Sequence, residues 1–125
     1  MFHGLRTVIY HVADLARARA WYAELLGVAP YFDEPYYVGF SIGGFELGLD
    51  PDSSLVAPGA GGCVAYWGVA NADEAMAQAL SVGAQPRSPV QEVGGGIRVA
   101  TVADPFGNLI GLIENPHFGK GGSPA

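Results

Sequence analysis

The chain has 125 residues, 50% of them hydrophobic and 14% charged, which suits one globular domain with its own core and excludes intrinsic disorder. Six basic against twelve acidic residues leave a net charge of −6, the wrong sign for gripping nucleic-acid phosphates or an anionic membrane. Cys63 is the single cysteine, so an intramolecular disulfide and a multi-cysteine zinc site are excluded. With no secretory pattern at the N-terminus, a cytoplasmic location is expected.

Thr7 to Val12 is rich in β-branched and aromatic residues and reads as a strand. Asp14 is the expected N-cap of a helix over Leu15 to Leu26, whose apolar positions Leu15, Ala18, Tyr22, Leu25 and Leu26 recur at helical spacing; Gly27 closes it and Pro30 forbids continuation. Segments around Tyr36 to Ile42 and Phe45 to Leu49, with Gly43-Gly44 between them, read as paired antiparallel strands. Cys63 to Val69 starts the plan again as a strand. Asn71 then caps a second helix, with Glu74 as its capping-box partner, and the helix ends at Gly83.

Val12-Ala13-Asp14 overlays Val69-Ala70-Asn71, and Gly27 to Pro30 overlays Gly83 to Pro86, at nearly the same offset. Leu47 to Pro51 overlays Leu112 to Pro116 at an offset about eight residues longer, so the second copy carries an insertion that includes Gly94-Gly95-Gly96. Two β-α-β-β-β modules are expected, one over about 5–51 and one over about 62–116, within a single domain of residues 1–118. The Pro/Gly-rich stretch from Pro51 to Gly62 joins them, and residues 119–125 form a flexible tail.

This repeat, with Asp14-Leu15, Trp21-Tyr22, Leu25-Leu26-Gly27 and the turn Asp104-Pro105-Phe106-Gly107-Asn108 before a last apolar strand, resembles the vicinal oxygen chelate superfamily. That superfamily includes glyoxalase I, extradiol dioxygenases and the bleomycin- and fosfomycin-resistance proteins. The resemblance implies an α+β fold whose mixed and antiparallel sheets curl into a cup around one small-molecule site. It also implies a homodimer, and four metal-ligand positions that fall at Thr7, Glu46, Val64 and Gly111. Only Glu46 is a ligand type, and the overlay makes Thr7 and Val64, and Glu46 and Gly111, repeat mates. A catalytic metal needs about three protein ligands, so neither a metal nor another cofactor is expected.

Strand alternation sends Phe45, Leu47 and Leu49 to one face and Glu46 and Gly48 to the other. By the same rule Thr7, Ile9 and His11, then Val64, Tyr66 and Gly68, then Gly111 and Ile113 line the ligand side. Tyr36, Tyr37 and Phe40 are candidate aromatic wall residues whose alternative is ordinary core, and Arg98 is a candidate anion contact whose structural alternative is pairing with a carboxylate. His3 and His117, near the termini, are expected to be exposed, and Cys63 to be a small buried thiol. Glu46 is the candidate catalytic residue. The leading functional expectation is binding of a small apolar or aromatic molecule in a cup without the usual metal ligands. The alternative is an enzyme of the same superfamily: a metal-independent isomerase or epimerase with Glu46 as base and His11 or Tyr66 as partner, or a lyase or dioxygenase with non-standard ligands. No nucleic-acid or membrane partner is expected.

Overall fold

Each half of the chain spends its apolar residues on one face of a four-stranded sheet and covers that face with one helix. The computed structural model describes residues 5–54, 56–61 and 64–117. His3, Cys63 and the tail 119–125 lie outside the described residues. The elements run β1 (Thr7–His11), α1 (Leu15–Leu26), β2 (Phe32–Glu34), β3 (Tyr37–Ile42), β4 (Phe45–Asp50), β5 (Ala65–Gly68), α2 (Ala72–Ser81), β6 (Gln85–Glu92), β7 (Arg98–Ala103) and β8 (Leu109–Glu114). This is the α+β arrangement of two β-α-β-β-β modules. No helix among the described residues is long and apolar enough to cross a membrane.

The first unit holds β1 to β4, continues to Gly61, and includes Pro105–Asn108. Its strand order is β1-β4-β3-β2, with β1 parallel to β4 and the other pairs antiparallel. The Asp14 side chain accepts from the Arg17 N–H at 3.0 Å, and Gly27, at φ +71°, turns its own N–H back to the Ala23 carbonyl at 2.9 Å. These caps set α1 at the length expected from its spacing. Tyr10, Val12, Val38, Phe40, Leu47 and Leu49 of the sheet and Ala18 and Tyr22 of the helix are buried together, with the Tyr10 and Tyr22 rings 6.0 Å apart. Arg19 pairs with Asp33 on this same side at 2.6 Å. The short strand β2 was not placed by periodicity, because three residues cannot display a pattern.

Asn108 is buried in the first unit and is satisfied at both ends of its amide. Its Nδ2 donates to the His11 carbonyl at 2.9 Å, while its Oδ1 accepts from the Gly59 N–H at 2.9 Å. Arg17 lies over the Phe106 ring, 5.4 Å from its centroid. The Asp-Pro-Phe-Gly-Asn segment is therefore a structural clasp for the end of β1.

The second unit holds β5 to β8 in the order β5-β8-β7-β6, with β5 parallel to β8 and the others antiparallel. Its core is built on small residues, Ala72, Ala79, Ala84, Ala100 and Ala103, packed with Val102, Ile110 and Leu112. Asn71 caps α2 by accepting from the Glu74 N–H at 2.9 Å, and the Ala72 N–H is taken by Glu114 at 2.8 Å. The extra length of this copy goes into β6, eight residues against three in β2, and into the glycine turn that follows it. Pro86 and Pro89 are tolerated because β6 is an edge strand, and its register shifts on either side of Ser88.

The observed registers correct one expectation. Ile9 faces Gly48 across the β1–β4 ladder, and its repeat mate Tyr66 faces Gly111 across β5–β8. Gly48, not Glu46, is thus the counterpart of Gly111. The overlay on leucines and prolines slipped by two residues, a shift that keeps every side chain on its own face and so leaves the alternation argument intact.

Asn108→Ala removes both amide hydrogen bonds and leaves two polar backbone groups to find other partners. A loss of about 1–3 kcal/mol is expected in urea denaturation; an unchanged midpoint would show that the clasp contributes nothing.

Candidate functional site

The face of the first sheet turned away from α1 carries Thr7, Ile9 and His11 on β1, Phe32 and Glu34 on β2, Tyr37, Gly39 and Ser41 on β3, and Glu46, Gly48 and Asp50 on β4. Their shared side follows from the pairings Thr7 with Glu46 and Ser41, Ile9 with Gly48 and Gly39, and Phe32 with Gly39. Two phenols converge on the carboxylate at its centre. Tyr31 donates its hydroxyl hydrogen to Glu46 Oε1, and Tyr37 donates to Oε2. Two glycines make room for their rings. A Cβ on Gly39 would lie 3.2 Å from Tyr31 Cε1, and one on Gly48 would lie 2.6 Å from Tyr37 Cζ, a distance no real side chain tolerates.

This geometry decides the charge state of Glu46. The hydrogen bonds from Tyr31 and then Tyr37 hold its pKa below the usual value, outweighing the opposing effect of partial burial. Conversely, the Tyr31 phenol is raised above its usual value chiefly by its hydrogen bond to Glu46, and the Tyr37 phenol by burial and then by the same carboxylate. The site at neutral pH is a carboxylate flanked by two neutral phenols. Such a carboxylate is a weak base and a fixed negative charge.

The other expected site residues divide into those that share this face and those that do not. Thr7, Ile9, His11, Tyr37 and Gly48 share it. His11 faces Asp50, four residues along the sheet from Glu46 and thus about 13 Å away at strand rise; its Nδ1 lies 2.9 Å from the Asp52 carbonyl, so it is not the proton partner of Glu46. Phe40 is a correction. It faces Leu47 in the buried layer under α1 and is 0% exposed, so it cannot be a wall residue. Tyr31 takes the place expected of it, an exposed ring at 62% that had drawn no attention because β2 was unplaced. The signal available was the pairing of Gly39 with Gly48, a bare patch of sheet that an aromatic ring can cover.

In the second unit Tyr66, Gly111, Ile113 and Gly68 share the face turned away from α2, and Val64 stands just before β5. Tyr66 lies over Gly111, with Cδ1 2.5 Å from where a Cβ would stand. Arg98 is the second correction. It is on the helix side with Glu114, its Nη1 is 2.9 Å from Asp73 of α2 and 3.7 Å from Glu114, and Asp73 raises its pKa further. It is a structural partner of the helix start, unsuited to hold an anionic ligand. His117 is exposed, with its Nε2 2.8 Å from the Gly95 carbonyl.

The donors do not fit a divalent cation. In the first unit Thr7 offers a hydroxyl beside a carboxylate whose two oxygens already accept from phenols, and in the second Val64 and Gly111 offer no side-chain donor. Among the described residues no three histidine, cysteine or acidic side chains gather as ligands.

A mixed-sheet α+β protein built from two β-α-β-β-β modules is a defined class, and the sequence agrees with it. The profile of the Glyoxalase/Bleomycin resistance protein/Dioxygenase superfamily matches residues 4–112, and the chain belongs to that superfamily. Its fold is similar to a glyoxalase-related enzyme from Fulvimarina pelagi, at TM-score 0.80 and 21% identity, covering 99% of this chain and 96% of that one. It is also similar to lactoylglutathione lyase from Agrobacterium tumefaciens, at TM-score 0.74 and 17% identity over 96% and 99% of the two chains. A fosfomycin resistance protein from Listeria monocytogenes aligns at TM-score 0.74 and 19% identity over 92% and 95%. No curated protein sequence matches the chain significantly.

Because Tyr37 fills the space above Gly48, Gly48→Ala should overpack the site and cost about 1–3 kcal/mol in thermal or chemical unfolding. Tyr37→Ala in the same chain should recover most of that loss. Full additivity of the two effects would contradict the close approach.

Proposed function

We propose that this protein binds a small aromatic molecule on the open face of its first unit and acts by holding it, without a metal. The observation that carries this reading is the Tyr31–Glu46–Tyr37 arrangement, in which aromatic rings and a fixed charge stand on a glycine floor where a smaller residue would suffice for stability. The lowered pKa of Glu46 favours binding over general-base catalysis, since a base works best with a pKa near the working pH. The misfit of the donor set argues against a metal-bound substrate. The low identity to the lyase and to the fosfomycin resistance protein leaves their activities with them.

Native mass spectrometry of the purified protein, with turnover assays on any co-purifying aromatic compound, tests the reading. One ligand per chain and no product beyond stoichiometry are expected; multiple turnovers would favour the isomerase or epimerase alternative. Glu46→Gln should weaken ligand binding while moving the melting temperature little at neutral pH. Added zinc, nickel, iron or manganese should give no stabilisation of the kind a tight site produces, about 2.7 kcal/mol at a hundredfold excess over Kd. Submicromolar binding of one metal, abolished by Glu46→Ala, would overturn the metal-free reading. We further infer a homodimer, consistent with the exposed apolar side chains Leu5, Val8 and Phe45; sedimentation at micromolar concentration should show no monomer peak.

A further inference from the structure

We propose that the molecule held at Glu46 carries a cationic nitrogen, as a quaternary or protonated amine beside an aromatic or apolar body. The inference rests on the binding reading above and narrows it to a chemical class. Three features of the open face support it. First, the charge at its centre is negative and stays so, because Glu46 is ionised at neutral pH and both its oxygens are tied to phenols.

Second, the rings around it form walls of the type that attracts cations. Phe32 stands 6.1 Å from both Tyr36 and Tyr37, inclined at 72° and 61°, and Tyr31 completes the set on the far side of Glu46. Phe32, Tyr31 and Tyr36 are exposed. A phenol that donates its proton to a carboxylate gains electron density in its ring, which strengthens the attraction of the ring face for a cation. Those hydroxyls are also spent as donors. The site therefore offers an incoming ligand π-faces and negative charge, with little to satisfy an anion.

Third, the groups that set the charge state of Glu46 are Tyr31, Tyr37 and partial burial, with no basic side chain among them. The remaining titratable groups on this face are Glu34 and Asp50, both acidic, and His11, which is engaged with the Asp52 carbonyl. Two arginines of the unit are engaged elsewhere: Arg17 lies over Phe106, and Arg19 pairs with Asp33 on the helix side. A buried or half-buried carboxylate usually finds a basic partner, and here the chain supplies two phenols. A cationic ligand would complete the pairing, and the overall charge of −6 would draw it in from solution.

The test compares benzyltrimethylammonium with its neutral carbon isostere, neopentylbenzene, by NMR titration of the intact protein at low salt. The ammonium should bind at least about tenfold more tightly, the combined effect of a cation–π contact and one opposed charge. Glu46→Gln should collapse the difference, and raising the salt concentration should reduce it. If the neutral isostere binds as tightly as the ammonium, the cationic class is wrong while aromatic binding stands. If neither probe shifts any resonance of the first unit, both this inference and the reading beneath it fail. The wild-type comparison holds whether or not the variant folds.

Discussion

A carboxylate can accept hydrogen bonds from two tyrosines on the surface of a sheet only if the backbone beneath the rings is bare. Gly39 and Gly48 face each other across β3 and β4 and provide that ground, and the Tyr31 and Tyr37 rings occupy it. The rest of the first unit supports the arrangement from the other side. Leu47 and Leu49 anchor β4 in the layer under α1, so Glu46 and Gly48 are held in place by residues buried on the opposite face. Polar function and apolar stability alternate along one strand, which lets the site change chemistry without unmaking the core.

The two units use one plan with different contents. In each, a residue of the first strand faces a glycine of the last across the parallel pair: Ile9 faces Gly48, and Tyr66 faces Gly111. In each, a tyrosine lies over that glycine, reaching it from β3 in the first unit and from β5 in the second. A residue with a side chain at either glycine would have to displace the ring. Both glycine positions are thus closed to a larger side chain by packing.

Much of this is legible in the sequence. The helix over Leu15 to Leu26 carries both caps in its sequence, and the alternation of Phe45 to Leu49 separates Glu46 from the core without ambiguity. The repeat was visible in Val-Ala-Asp and Val-Ala-Asn. What escaped has a common cause. Period-two patterns report a face but not a register, so the overlay could slip by two residues and still look consistent. Tyr37 and Phe40 lie an odd number of positions apart on one strand, so alternation alone puts them on opposite faces, and aromatic type cannot make both wall residues. Tyr31 sits ahead of a three-residue strand that no periodicity can detect. Arg98 is open in the sequence between an anion and a carboxylate, and the choice depends on Asp73, far earlier in the chain on a helix whose packing sequence spacing cannot show.

The most direct test of the central claim is an NMR titration of the Glu46 carboxyl carbon. Hydrogen bonds from two phenols should place its midpoint below the ordinary glutamate range. A carboxylate whose pKa is lowered by folding contributes stability that is fully present above its unfolded pKa and lost as pH falls through its folded pKa, so acid unfolding should begin in that window. Replacing both Tyr31 and Tyr37 by phenylalanine should return the midpoint to the ordinary range. A wild-type midpoint already in or above that range would contradict the account, because Glu46 would then be free to act as an acid or base.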